Sequence, residues 1–249
     1  MNKLSSNIIE IFPSIQGEGC YIGQKQLFIR LAGCNLECNY CDTNSSAQEF
    51  CKIYADMKNF KEIKNPFTCE NLIEEIEKFN LSSFHGISFT GGEPLVHAEF
   101  LKNFLENFRH KYNKPKIFLE TNGTLVSEMK KIAPYVDIVS MDIKIESSTA
   151  QLMPFEEHEK FIEILNLFEI EFFAKVVINQ NIKKTEIELV KKLLKTSKRS
   201  MPLILQPMSE KTSEKADWAE KLMYIQDEFL KEIKDTRVIA QMHKYLGLQ

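Results

Sequence analysis

The segment QLFIRLAGCNLECNYCDT, residues 26–43, sets a strand directly against a loop of cysteines. Its first part, QLFIRLA (26–32), is a short apolar run of strand length. Six similar runs follow: GISFT (86–90), KIFLE (116–120), VDIVS (136–140), EFFAKVVI (171–178), PLILQ (202–206) and RVIAQ (237–241). Amphipathic segments separate them. Leu72, Ile73, Ile76 and Phe79 recur on one helical face, as do Phe161, Ile164, Leu165 and Phe168. Thr185-x-x-Glu188 reads as a capping box opening a further helix. Six strand-then-helix units and a closing strand predict a parallel sheet with its helices outside. Eight units would close a barrel, so the fold class is α/β, a partial, open (β/α)6 barrel. An N-terminal extension (residues 1–25) precedes it, and a polar insertion (44–69) follows the cysteine loop. No Pro- or Gly-rich linker divides the chain, which reads as a single domain over 1–249. Ligands of such sheets sit beyond the carboxyl ends of the strands.

The chain has 249 residues, 43% hydrophobic and 27% charged, with a formal net charge of −3. That composition belongs to a globular protein with a substantial core. The near balance of charge argues against a protein that coats nucleic acid or an anionic membrane. No apolar run approaches the roughly 18 residues of a membrane span. The start, MNKLSSNIIEIF, meets Glu10 before any stretch long enough for a signal peptide. A soluble, cytoplasmic protein is expected, with no nucleic-acid or membrane partner.

Cys20, Cys34, Cys38, Cys41, Cys51 and Cys69 all fall in the first third of the chain. Thiols clustered in this way, without signs of secretion, are metal ligands or redox groups more often than disulfides. Cys34, Cys38 and Cys41 follow C-x3-C-x2-C on one loop, with polar Asn35, Glu37 and Asn39 between them. Structural zinc takes four closed ligands, and an ordinary 4Fe–4S cluster takes four cysteines. Three thiolates leave one iron open to chemistry. The plainer alternative is zinc, completed by Cys51, Cys69 or a histidine. One unit later, Thr90-Gly91-Gly92-Glu93-Pro94 offers glycines that permit close backbone approach to a ligand; alone it would be only a turn.

Together these two motifs resemble the radical S-adenosylmethionine (SAM) superfamily. The resemblance implies a cluster whose fourth iron is chelated by the amino and carboxylate groups of SAM. An electron from the cluster then cleaves SAM to methionine and a 5′-deoxyadenosyl radical. Further motifs narrow it to the 7-carboxy-7-deazaguanine synthase family of queuosine biosynthesis. They are EIFPSIQGEG (10–19), Gly23, FIRLAGCN (28–35), CDT (41–43), ETNGT (120–124), LQPMS (205–209) and QMHK (241–244). The implied reaction converts 6-carboxy-5,6,7,8-tetrahydropterin to 7-carboxy-7-deazaguanine with loss of ammonia. In that scheme the radical takes hydrogen from C6, the ring contracts, and the returned hydrogen regenerates SAM.

Carried over by position, the family resemblance assigns Cys34, Cys38 and Cys41 to the 4Fe–4S cluster and Thr43 to Mg²⁺. Tyr40, Cys41, Asp42, Gly92, Ser140, Lys144, Gln206, Pro207, Met208 and Ser209 fall to SAM. Ile15, Gln16, Gly17, Arg30, Thr90, His243 and Gln249 fall to the substrate. It further implies a flavodoxin- or ferredoxin-like electron donor and a homodimer. Chemically, Arg30 can fork onto the pterin carboxylate, although a surface salt bridge is the commoner fate of an arginine. Gln16 offers a donor and an acceptor to a pterin edge. Glu18 reads as support for its loop, and Cys51 and Cys69 as incidental thiols.

The family's Ser-Pro-Lys after the fourth strand is here Ser140-Met141-Asp142-Ile143-Lys144. Lys144 replaces the lysine at shifted spacing. Asp142-Ile143-Lys144 also resembles the aspartate-x-lysine motif of glycyl-radical activating enzymes, which makes an activase the second reading. A zinc- or cluster-binding scaffold or electron carrier without catalysis is the third. Some members of the family end in a proline whose carboxylate helps form the site, and the resemblance offers Gln249, six residues after His243, as a candidate for a comparable role.

Overall fold

The computed structural model describes residues 4–41, 43–56, 58–208 and 215–248. In chain order its strands are β1 (Ser5–Ser6), β2 (Ile8–Ile15), β3 (Lys25–Leu31), β4 (Phe50–Tyr54), β5 (Phe60–Lys64), β6 (Phe67–Thr68), β7 (Gly86–Gly91), β8 (Lys116–Thr121), β9 (Ile138–Asp142), β10 (Glu171–Ile178), β11 (Leu203–Pro207) and β12 (Thr236–Val238). The helices are α1 (Cys69–Ile76), α2 (Ala98–Lys111), α3 (Val126–Ile132), α4 (Glu146–Thr149), α5 (Phe155–Leu167), α6 (Lys184–Leu194), α7 (Lys215–Leu230) and α8 (Met242–Leu246).

β3, β7, β8, β9, β10, β11 and β12 lie side by side and parallel. They correspond to the seven runs read from sequence, and α1, α2, α3, α5, α6 and α7 occupy the crossovers between them. The sheet ends at β12 on one side and β5 on the other, so the barrel is open. Helix faces supply the outer core: Phe100, Leu101, Phe104, Leu105 and Phe108 of α2 are all buried.

Inside the barrel, strand alternation stacks side chains in levels. Phe118, Ile138, Phe173 and Ile204 form an apolar floor, against which Cys20, Tyr21 and Ile239 pack. The Tyr21 ring meets Phe118 edge-on at 5.2 Å. Two residues further along each strand, on the same face, come Glu120, Ser140, Lys175 and Gln206, which line a cavity. The floor is apolar and the level above it polar.

The structure refines four of these expectations. The N-terminal extension precedes the first barrel strand as expected and also joins the sheet: β2 pairs antiparallel with β3. Residues 44–69 are not merely a polar insertion, because β4 and β5 form a hairpin and β4 pairs in parallel with β2. Within the hairpin, Cys51 and Ile53 alternate inward and are buried. The third is the cap of α6. Its N-cap is Lys183, whose backbone N–H donates to Glu186 at 2.7 Å, and the second Glu186 oxygen accepts from Ser147 N–H at 2.7 Å. Glu186 takes the capping role expected of Glu188 because it is the buried carboxylate tying α6 to α4. The closing strand is also shorter than RVIAQ, since after Ile239 the chain turns so that Met242 N–H donates to Gly17 O at 2.9 Å.

Phe104 is fully buried, with ring centroids 5.5 Å from Phe89 and 5.6 Å from Phe108. Phe104→Ala is expected to lower unfolding stability by about 3–5 kcal/mol. Urea denaturation followed by circular dichroism should show a lower midpoint at unchanged slope. A loss under about 1 kcal/mol would contradict this account of the core.

Candidate active site

A cavity of about 830 Å³ opens at the carboxyl ends of the parallel strands. The cysteine loop brings Cys34, Cys38, Tyr40, Cys41 and Thr43 to its wall. Gly92, Ser140, Lys144, Gln206, Pro207 and Met208 arrive from the ends of three alternate strands, β7, β9 and β11. Ile15, Gln16, Gly17, Arg30, Thr90 and His243 complete the wall on the other side. Every described residue that the family resemblance assigns to cluster, Mg²⁺, SAM or substrate therefore lines one cavity. Asp42, Ser209 and Gln249 lie outside the described residues.

The cysteine loop is held by its backbone and by the ETNGT segment. Cys41 N–H donates to Cys38 O at 3.0 Å, and Leu36 N–H to Cys34 Sγ at 3.4 Å. Asn122 Nδ2 donates to Asn35 Oδ1, and Asn35 Nδ2 to Thr124 Oγ1, both at 2.9 Å. Burial raises the Cys34 and Cys38 thiols above their ordinary range. Among the described residues, no group of three His, Cys, Asp or Glu converges to hold a single metal ion. Cys51 and Cys69 do not complete the loop's ligand set. Both belong to the hydrophobic core, and burial pushes their thiols up to about 12 and about 11.

The TGGEP turn is built by steric necessity. Gly91 has φ +135°, and a Cβ there would lie 2.2 Å from Leu31 O. A Cβ on Gly92 would lie 2.0 Å from Gly33 O. Glu93 is buried and accepts from Thr121 Oγ1 and Asn122 N–H, both at 2.7 Å, and from Leu95 N–H at 3.1 Å. It therefore clamps the end of β7 to that of β8. Burial raises its carboxyl to about 7, against the opposing pull of these donors.

Across the cavity runs a chain of paired charges. Lys144 Nζ donates to Tyr40 OH and to Asp142 Oδ2, each at 2.7 Å. Lys175 Nζ sits 3.7 Å from the same Asp142 oxygen and 2.6 Å from Glu18 Oε2. Gln241 Nε2 donates to Glu18 Oε1 at 2.8 Å. Burial alone would raise the Glu18 carboxyl, but the Lys175 charge and the hydrogen bonds from Lys175 and Gln241 bring it down to about 2. Burial would lower the Lys175 ammonium, yet Glu18, Asp142 and Glu120 hold it well above the usual lysine range.

Glu18, Glu120, Asp142, Lys175 and Gln241 were not assigned to the site from sequence. The available signal was parity: Lys175 is a charge in the middle of the apolar run EFFAKVVI, on the same face as Phe173. Gln16 departs from its expected role, because its amide is already engaged within the protein. Its Nε2 donates to Glu120 Oε1 at 2.8 Å, and its Oε1 accepts from Glu18 N–H at 3.0 Å. Thr90 Oγ1 donates to the other Glu120 oxygen at 2.9 Å. Arg30 is both ion-paired and cavity-lining: its Nε donates to Glu10 Oε1 at 2.7 Å. His243 lies against Gly17, where a Cβ would come within 2.6 Å of it.

The residues on the cofactor side suit a polar ligand bound against backbone. Gly92 leaves a cradle that a Cβ would fill. Asp142 Oδ1 and Gln206 Oε1 are buried acceptors with no hydrogen-bond partner among the described residues, and both residues line the cavity. Buried acceptors call for donors, which amino and hydroxyl groups of a ligand supply.

Glu93 gives a pH signature. Its folded carboxyl is raised from 4.5 to about 7. The unfolded chain therefore loses this proton first as pH rises, and the stability it confers is present below about 4.5 and lost as pH climbs to about 7. Glu93→Gln should flatten that decline, which amounts to at most roughly 1.4 kcal/mol per pH unit. Thermal melts across the window test this; equal slopes in both proteins would count against a raised Glu93.

Residues 28–180 match the Radical SAM superfamily. The chain is 32% identical to a 7-carboxy-7-deazaguanine synthase of Geobacter sulfurreducens, covering 99% of each. It is 33% identical to that of Archaeoglobus fulgidus, covering 99% of this chain and 100% of the relative. Against that of Methanothermobacter thermautotrophicus it is 34% identical over 100% of both. In fold it is similar to the crystal structure of QueE from Escherichia coli, with a TM-score of 0.60 at 20% identity over 95% of this chain and 94% of that one. It is also similar in fold to anSMEcpe with bound AdoMet, with a TM-score of 0.54 at 21% identity over 88% and 62%. Cysteine loop, glycine turn, open barrel and end-to-end likeness agree: the chain belongs to the radical SAM superfamily and, within it, to the 7-carboxy-7-deazaguanine synthase family.

Proposed function

We propose that this enzyme converts 6-carboxy-5,6,7,8-tetrahydropterin to 7-carboxy-7-deazaguanine with release of ammonia, in queuosine and 7-deazapurine biosynthesis. The observation that carries the reading is the end-to-end likeness to 7-carboxy-7-deazaguanine synthases, joined to a single cavity that collects both residue sets. Substrate and product differ only by the elements of ammonia, so the conversion needs no net oxidant or reductant.

Cys34, Cys38 and Cys41 would hold the 4Fe–4S cluster, while Tyr40, Gly92, Ser140, Lys144 and the 206–208 segment would hold SAM. Cluster and SAM together supply one-electron cleavage chemistry and a carbon-centred radical able to take a hydrogen atom. Arg30 binds the pterin carboxylate, a geometry guanidinium suits. Thr90 and Gln16 orient the ring through the Glu120 carboxylate they share, and His243 closes the far side against Gly17. Thr43 offers Mg²⁺ one hydroxyl, with substrate oxygens and water as the other ligands. An electron donor such as flavodoxin or ferredoxin, a homodimer, a single domain and a cytoplasmic location complete the proposal. Among the described residues no helix is long and apolar enough to cross a membrane.

The direct test is an anaerobic assay of reconstituted protein with SAM, Mg²⁺, dithionite and the carboxypterin, read by mass spectrometry. Formation of 7-carboxy-7-deazaguanine is expected; SAM cleavage without pterin turnover would overturn the substrate assignment. Cys38→Ala should abolish SAM cleavage while the circular dichroism spectrum is retained, and an active variant would remove the cluster assignment. Arg30→Ala should raise KM for the carboxypterin by about 10–100-fold, the loss of a charge-assisted hydrogen bond. An unchanged KM would remove Arg30 from the substrate site.

A further inference from the structure

Arg30 does not reach the cavity unaided. β2 and β3 pair with a register shift between Ile8 and Glu10, and this irregularity sets Glu10 directly opposite Arg30. Bulges of this kind re-aim side chains. On its other side Arg30 is in register with Thr90 of β7. Glu10, Arg30 and Thr90 therefore form one row across three strands, and all three line the cavity.

Within that row the guanidinium is fixed at two places. Nε donates to Glu10 Oε1 at 2.7 Å, and the guanidinium carbon lies 5.4 Å from the centroid of Phe12. Phe12 is itself immobilised, buried and stacked on Phe28 at 5.2 Å with 11° between the ring planes. The Arg30 and Glu10 side chains are 21% and 18% exposed, so this pair is more sheltered than an ordinary surface bridge. With Nε taken, a carboxylate can meet Arg30 only at its two terminal nitrogens.

We infer that Glu10 is a positioning residue for the substrate carboxylate, acting through Arg30 by locking the guanidinium so that its terminal edge faces the cavity. This rests on the substrate reading above. A free arginine loses considerable rotamer entropy on binding; one already locked by Glu10 and Phe12 does not. Glu10 is also an anion beside an anionic ligand. If it acted through charge alone, removing it would tighten substrate binding, whereas positioning requires the opposite sign.

The test compares kcat and KM for 6-carboxytetrahydropterin in the wild type, Glu10→Ala, Glu10→Gln, Arg30→Ala and the Glu10→Ala/Arg30→Ala double variant. Thermal melts and cluster absorbance verify each protein. Glu10→Ala is expected to raise KM about tenfold with kcat within about twofold. Glu10→Gln keeps an acceptor for Nε and should restore KM to near the wild-type value. In the Arg30→Ala background, Glu10→Ala should add nothing. A KM that falls, or stays unchanged, in Glu10→Ala while Arg30→Ala raises it overturns this inference alone. Additive effects in the double variant overturn it as well, as does a Glu10→Ala that loses kcat with KM intact. An unchanged KM in Arg30→Ala overturns the carboxylate reading beneath it.

Discussion

An ammonium group inside a barrel must be paired, because an unpaired buried charge costs several kcal/mol. Lys175 is in that position, one level above the apolar floor, and Glu18 at 2.6 Å answers it. Glu18 lies on no barrel strand. To reach Lys175 the segment after β2 must dip into the barrel, and the rest of the mouth follows from that dip. Gly17 passes against His243, and Gly19 against the Phe173 ring, at distances where a Cβ would not fit. Cys20 and Tyr21 then pack onto the floor. The C-terminal segment is drawn in too, through Gln241 to Glu18 and through Met242 N–H to Gly17 O. One ion pair thus brings both ends of the chain to the cavity.

The same pairing links the two halves of the site. Asp142 stands between Lys175 and Lys144, and Lys144 reaches Tyr40, next to Cys41. Each member of this path has a charged or hydroxyl neighbour, which is how a low-dielectric interior tolerates so many ionic groups. The arrangement also fixes the geometry of the wall. A side chain held at both ends by partners keeps its place without further packing, and catalytic sites need that precision.

Sequence periodicity was enough for the barrel because its strands are buried runs and its helices one-faced, and both patterns survive in any context. β2 was hidden by Pro13, which lacks an N–H and argues against a strand interior. It is tolerated here because β4 pairs with β2 only at Glu10 and Ile11, leaving that side of Pro13 outside the paired stretch. β4 was hidden by brevity: FCKIY is five residues inside a polar stretch, too few for alternation to stand out. In the site, the spacing of Cys34, Cys38 and Cys41 and the TGGEP turn were legible because their chemistry is local. Glu18, Asp142, Glu120 and Lys175 were not, since a charge in a sequence carries no record of its partner across the fold.

What the protein leaves without partners says most about the ligands it takes. Most polar groups in the cavity are matched internally: Glu18 by Lys175 and Gln241, Glu120 by Gln16 and Thr90, Lys144 by Asp142 and Tyr40. Groups matched in this way are costly for a ligand to displace. Asp142 Oδ1 and Gln206 Oε1, by contrast, are buried acceptors without a partner among the described residues, so a ligand on that wall gains by bringing donors. Arg30, with Nε bound to Glu10, presents its terminal nitrogens instead, and a ligand on that wall gains by bringing an acceptor. The strand-end wall therefore favours donor groups of a ligand, and the β2–β3 row favours an anionic one.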